Sequence, residues 1–172
     1  MTSEPAFDSR HFRQVLGHFP TGVVVVAAID DSGQPAGMTV GSFTSVSLDP
    51  PMVAFLPDKA STSFPRIASA PSFCVSVLSY DQEDICRAFA AKGGDKFASI
   101  RWSPGPSGAP VLDGAVAWID CEIETVHEAG DHLIVVGRVL NLGVGGGSLA
   151  APLLFHRGGY ARVGANPLVG TP

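Results

Sequence analysis

From Ala115 onward the sequence lays out a long antiparallel hairpin. Ala117, Ile119, Cys121 and Ile123 face one way, while Asp120, Glu122 and Glu124 face the other. That period of two marks a strand with one wet side. The run HEAGDH (127–132) carries turn residues, and His132 to Leu142 returns as a second long strand. Upstream, Val23 to Ile29 is a continuous β-branched run, as expected of a strand buried on both faces. DDSGQPAG turns the chain after it, so this strand should pair in a hairpin with GMTVGSFTSVSLDPP (37–51), itself read as a strand. Met52 to Leu56 and SFCVSVL (72–78) add further strands. The pattern predicts a mainly β domain, a closed or nearly closed barrel with short peripheral helices.

Three helices are expected around that sheet. Phe12, Val15, Leu16 and Phe19 fall at helical spacing after Asp8 or Ser9 as a cap, and FPTG stops the run. A second helix begins near Ser61 to Ser63, with Pro65 tolerable only in its first turn. A third follows Ser79, whose spacing to Gln82 matches a capping box, and it pairs Ile85 with Phe89. WSPGPSGAP (102–110) reads as a loop inside the domain.

At 172 residues the chain suits one domain, with its core at about 10–163 and no internal repeat or boundary. Charged residues are only 16% against 45% hydrophobic, which hints at apolar surface covered by another subunit. The net charge of −5, without a basic run interleaved with aromatics, gives no nucleic-acid footprint. The longest apolar stretch, Val23 to Ile29, is far too short to cross a bilayer, and MTSEPAFDSR lacks the features of a signal peptide. Cys74, Cys86 and Cys121 are odd in number and show no C-x-x-C spacing. They read as buried, inert thiols in a reduced, cytoplasmic setting.

The segment 37–51 carries more small hydrogen-bonding groups than a half-buried strand needs. Thr39, Gly41, Ser42 and Ser45 offer donors and close backbone approach to a flat heterocycle rich in carbonyls and ring nitrogens. Cross-strand pairing of Thr and Ser is the plainer explanation. DKASTSFPRI (58–67) places Lys59, Ser61, Thr62 and Ser63 where a helix begins, a combination that can hold phosphate or merely cap the helix. Phosphate at one end and a polar ring at the other describe a flavin nucleotide.

Five stretches in this order, FRQVLGHFPTGVVVVAA, GMTVGSFTSVSLDPP, DKASTSFPRI, AGDHLIVVGRV and LLFHRGGY, give a resemblance to a known family. From about Phe12 to Tyr160 the chain resembles the short-chain flavin reductases, the reductase components of two-component flavin-dependent monooxygenases. The resemblance implies a split β-barrel of the FMN-binding type, a homodimer, and flavin (FMN or FAD) beside the dimer interface. It also implies hydride donation by NADH or NADPH and a partner monooxygenase that receives the reduced flavin. Carried over by motif, Thr39, Val40, Gly41, Ser42 and Ser45 would meet the isoalloxazine and ribityl portions. Lys59, Ala60, Ser61 and Thr62 would hold the phosphate, and Phe89 and Ala90 would line the flavin's flank. His132, in the GDH of 130–132, would serve the nicotinamide side, with His156 and Tyr160 in the closing HRGGY. Phe64 stands where many relatives have Trp.

Such chemistry asks for positioning rather than for a nucleophile and base, because the cofactors supply the reactivity. A flavin-binding electron-transfer or storage protein without nicotinamide turnover is the competing reading, and the GDH hairpin and Tyr160 favour the enzyme. A split-barrel amine oxidase would want a basic substrate-phosphate cluster that is missing. GVGGGS (143–148) is a loop rather than a dinucleotide fingerprint, since no βαβ unit surrounds it. His127, Glu128, Asp131 and His132 do not match metal-site spacing, so no metal is expected.

Overall fold

A computed structural model describes residues 7–145 and 151–164. The opening MTSEPA and residues 146–148 of GVGGGS therefore lie outside the described residues, while Gly143 and Val144 end a strand. The elements in chain order are α1 (Ser9–Leu16), β1 (Thr21–Gly22), β2 (Val24–Ile29), β3 (Pro35–Val40), β4 (Thr44–Leu48), β5 (Pro51–Phe55) and α2 (Phe64–Ala68). There follow β6 (Phe73–Val77), a 3₁₀ turn (Tyr80–Gln82), α3 (Glu83–Ala90), β7 (Trp102–Pro104), β8 (Pro110–Leu112), β9 (Ala117–Ala129), β10 (His132–Val144), β11 (Leu153–His156) and β12 (Gly159–Arg162).

A seven-stranded antiparallel sheet dominates, in the order β3-β2-β6-β9-β10-β5-β4. The expected long hairpin is its centre: β9 and β10 pair from His132↔Ala129 to Val144↔Ala117. Gly130, at φ 64°, makes the tight turn that a β-carbon would strain. Its alternation fails at one residue. Asp120 is fully buried instead of wet, because its carboxylate accepts from the Ser107 amide (2.8 Å) and the Ser107 hydroxyl (2.6 Å). Ser107 sits on the stretch read as a loop, which in fact folds as the hairpin β7–β8. A buried carboxylate with both bonds satisfied is tolerable where an orphaned one is not.

The segment 37–51 is also two strands, not one. Its first part lies in β3, which pairs with β2 as expected, from Val24↔Val40 to Ile29↔Pro35. Its second part is β4, at the opposite edge of the same sheet. Only Gly41, Ser42 and Phe43 separate the two edges, so the chain spans the gap with at most roughly 15 Å of backbone. The sheet must curl until its edges approach, although no β3–β4 hydrogen bonds close it. Ser42 fastens the corner by accepting from the Leu56 amide (3.1 Å) and donating to the Leu56 carbonyl (3.2 Å).

The β-branched run explains itself through two cores. Val24, Val26 and Ala28 face Phe55, Phe64, Ile67, Phe73 and Val135 inside the curl. Val23, Val25 and Ala27 face Leu78, Cys86, Phe89, Phe97, Leu112 and Leu153 on the other side, under α3 and the small hairpins. Both faces of β2 are therefore dry. The helix α1 forms with Asp8 accepting from the His11 amide at 2.7 Å, yet it buries none of its residues. Its apolar stripe of Phe12, Val15 and Leu16 lies half exposed, with Phe19 just beyond it. No described helix is long and apolar enough to cross a membrane.

Candidate flavin cleft

Three elements meet around a cavity of about 250 Å³: β3 through Met38 and Thr39, the 58–63 segment, and the end of α3 with the loop after it. Asp58, Ala60, Ser61, Thr62 and Ser63 form one wall, and Phe89, Ala90, Lys92 and Lys96 the opposite one. A second, apolar hollow of about 210 Å³ continues past the shared residues Thr39 and Ala90 to Gly41, Cys86, Phe155 and Tyr160. The first is polar and cationic, the second apolar with Phe155 and Tyr160 in its wall.

Local chemistry fixes each wall. Ser61 Oγ accepts from the Ser63 amide (3.3 Å) and the Phe64 amide (3.2 Å), so it caps the entry to α2. Among the described residues no hydrogen bond engages the Thr62 hydroxyl, although Thr62 lines the cavity. Thr39 Oγ1 donates to the Cys86 carbonyl at 2.9 Å, which ties β3 to α3. The polar face of that segment thus serves internal bonds at Thr39 and Ser42 before any ligand. Phe89 is 1% exposed and stacks edge-on against Phe97, ring centroids 4.9 Å apart.

Cys86 Sγ lies 3.2 Å from Tyr160 Oη, and the Arg87 guanidinium stands 4.9 Å above the Tyr160 ring. The bond to Cys86, then burial, pushes the Tyr160 phenol up to about 12. The phenol stays protonated through the neutral range. All three thiols are free and buried, and burial pushes those of Cys74 and Cys121 up to about 12.

The structure gathers Thr39, Ala60, Ser61, Thr62, Phe89 and Ala90 on the larger cavity, and Thr39, Gly41, Ala90 and Tyr160 on the smaller. Val40 turns its side chain into the core, leaving only backbone for a ligand. Ser42 is spent on the corner, and Ser45 lies exposed on β4, away from both cavities. His156 is exposed at the end of β11, where its neighbour Phe155 lines the groove instead. Lys59 pairs with Glu128 at 3.2 Å and does not line the cavity.

Lys92 and Lys96 are the lysines that do, and Lys96 is the one anchored there. Its Nζ donates to the Phe89 carbonyl (2.8 Å), to Ser63 Oγ (3.0 Å) and, at 3.4 Å, to the Gly37 carbonyl. Burial lowers its pKa, and among the described residues no carboxylate pairs with it. Nothing but KGGDK (92–96), two lysines around a glycine pair just past α3, could have signalled it in the sequence. Met38, Asp58, Thr21 and Phe155 are lining residues with no sequence signal of their own.

His132 approaches from the side. Residues 57–59 zip onto the turn of the long hairpin: Leu133 N–H donates to the Pro57 carbonyl, Lys59 N–H to the Asp131 carbonyl, both at 2.9 Å, and Asp58 bridges to His132. Asp58 lines the cavity, so the histidine stands one residue away from it. His132 Nδ1 and Asp131 Oδ1 are 2.7 Å apart, which holds the Asp131 carboxyl below its ordinary value.

Residues 16–164 match the flavin reductase like domain. The chain belongs to this flavin reductase family. It is 54% identical over 155 residues to a flavin reductase of Pseudomonas putida, covering 90% of each chain. To the reductase subunit HsaB of a flavin-dependent monooxygenase from Rhodococcus jostii it is 44% identical, over 97% of this chain and 84% of that one. The NADH:FAD oxidoreductase of Streptomyces globisporus, solved with NAD and FAD fragments, superimposes with a TM-score of 0.86 at 38% identity. That match covers 96% of this chain and 99% of the other.

Proposed function

We propose that this chain is an NAD(P)H-dependent flavin reductase that delivers reduced flavin to a partner monooxygenase. The observation that carries it is the Lys96 ammonium, without a carboxylate partner among the described residues, on a cavity that Ser61 and Thr62 also line and that shares Thr39 and Ala90 with the hollow beside Tyr160. A half-buried cation with only neutral partners favours an anionic ligand beside it. Thr62, Ser61 and Lys96 hold the flavin phosphate. The backbone from Thr39 to Ser42 meets the edge of the ring, where Gly41 permits close approach. Phe89, Ala90 and Tyr160 flank it. His132, on the turn fastened to Asp58, orients the nicotinamide.

When bound, the nicotinamide and the flavin would supply the redox chemistry, hydride transfer between their rings. The protein's part is to align the rings and exclude water, and the half-buried, protonated Tyr160 adds no charge to that surface. The curled sheet, whose edges β3 and β4 are joined by three residues, supports a split β-barrel in a single domain. The exposed stripe of α1, with Leu140, Leu142 and Val144 on β10, supports a homodimer, which light scattering at micromolar concentration would reveal. Three reduced thiols fit a cytoplasmic setting.

The test is direct. Purified protein is mixed with FMN or FAD and with NADH or NADPH, and loss of the nicotinamide absorbance is followed. Turnover with at least one pair is expected. Flavin binding without any nicotinamide oxidation would leave a flavin carrier instead.

A further inference from the structure

Tyr160 stands in the wall of the apolar hollow, yet its own sheet gives it little support. Its strand, β12, is four residues long and lies at the edge of a three-stranded sheet, bonded only to β11. What fixes the ring comes from two consecutive residues of α3. Cys86 Sγ lies 3.2 Å from the phenol oxygen, and the Arg87 guanidinium stands 4.9 Å above the ring centroid. We infer that Cys86, and to a lesser degree Arg87, are positioning residues for flavin reduction, acting through the Tyr160 ring. The inference rests on the flavin reading of the cavity and the hollow.

Cys86 is 2% exposed, and among the described residues its sulfur is the one hydrogen-bond partner of the Tyr160 phenol. Its carbonyl accepts from Thr39 Oγ1 at 2.9 Å, so this residue of α3 is tied to both β3 and β12. Thr39, Cys86 and Tyr160 all line the hollow. Two bonds that meet at Cys86 therefore hold three walls in one spatial relation. Arg87 is braced in turn by Glu83, one helical turn back, with its Nε and one Nη at 2.9 and 2.6 Å from the same carboxylate oxygen. That ion pair is largely exposed, where a cation–π contact is weak, so the thiol carries more of the hold. From β11, Phe155 meets the ring edge-on with centroids 5.5 Å apart. A ring held at its hydroxyl, over its face and along its edge keeps one orientation. Without the thiol, the phenol would lose its partner in a hollow that is otherwise apolar, and it would turn toward water. Alignment of the reacting rings is what this reaction asks of its protein, and it tolerates little displacement of a wall. A thiol that merely filled space would be replaceable by alanine at a cost in stability alone.

Stopped-flow flavin reduction at saturating NADH or NADPH tests this on the intact chain, beside the visible circular dichroism of bound FMN or FAD and a thermal melt. Cys86→Ala should lower the reduction rate about tenfold and change the flavin dichroism, with the KM for the nicotinamide nearly constant. Cys86→Ser keeps a donor and an acceptor near the phenol, so it should recover much of both signals. Tyr160→Phe should resemble Cys86→Ala, and the double variant should be no slower than either single one, because both remove the same bond. Arg87→Met should act in the same direction and less. A wild-type rate and dichroism in Cys86→Ala, whatever its melting temperature, would make the thiol a packing residue and overturn the inference. Serine no better than alanine, or losses that multiply in the double variant, would overturn it too. Should Cys86→Ala fail to fold, Tyr160→Phe decides alone: it keeps the ring and removes the bond, so a wild-type rate and dichroism there also overturn the inference. A wild type that oxidises neither nicotinamide defeats the functional reading and this inference with it, whereas normal turnover in every variant defeats the positioning role alone.

Discussion

The Phe89 ring packs directly over Gly37: a β-carbon built on that glycine would come 2.5 Å from the ring's Cε1 atom. The ring cannot retreat, since it is buried and braced by Phe97. Gly37 is therefore where α3 approaches β3 closely enough for the two to wall one groove.

Gly37→Ala should destabilise the fold by about 1–3 kcal/mol through overpacking. Pushing α3 away should also widen the groove and weaken flavin binding. Urea unfolding and flavin titration of the same variant measure the two effects. An unchanged unfolding midpoint would mean that α3 gives way freely.

Ser61 and Thr62 should respond differently to truncation. Ser61→Ala removes the cap on two amides and should lower stability by about 1 kcal/mol while also weakening FMN. Thr62→Ala leaves every internal bond in place, so it should weaken FMN by about tenfold at unchanged stability. Riboflavin affinity should be insensitive to Thr62→Ala. Parallel losses for FMN and riboflavin would remove Thr62 from the phosphate site.

His132→Ala should leave flavin affinity nearly intact yet slow flavin reduction, by about tenfold to a hundredfold if ring alignment is lost. The hairpin turn that carries it is distinct from the Thr39 and Thr62 walls. Stopped-flow reduction at saturating nicotinamide, beside a flavin titration, reads both. A wild-type reduction rate would make His132 a packing residue of the turn.

Acid should act through Asp30. Bonds from Ser32 and from the Gln34 amide, helped by Arg66, hold its carboxyl at about 2 against an ordinary 3.8. The folded value lies below the unfolded one, so Asp30 stabilises the fold above the unfolded pKa and loses that contribution as pH falls toward about 2. Unfolding midpoints of the wild type should therefore drop more steeply over that window than those of Asp30→Asn. Parallel curves would show that other carboxylates govern acid unfolding.

Local chemistry was enough to read most of the elements. Period-two alternation placed β9 and β10, the valine run announced a strand dry on both faces, and Asp8 and Ser79 marked helix starts. Each of these is a short-range signal, set by the geometry of one element and its cap. The two hydroxyl-rich stretches were legible in the same way, because free Ser and Thr side chains in tight backbone are conspicuous. What they faced was not. Asp120 looked like any wet carboxylate until Ser107, thirteen residues away on another hairpin, supplied its bonds. Lys59 looked like the phosphate cation because it adjoins Ser61 in sequence, but it lies toward Glu128.

The sequence by itself determined the long central hairpin, the strand dry on both faces, most helix starts and the two hydroxyl-rich segments. Only the tertiary structure decided that β3 and β4 would become opposite edges of one curled sheet, and that Lys92 and Lys96 rather than Lys59 would line the cavity. The physical reason is common to both. Edge pairing and ion placement depend on contacts between segments far apart in the chain, here Lys96 with Gly37 and Ser63. Such contacts are fixed by how the two cores pack against the faces of β2, a global outcome that no local window of residues contains.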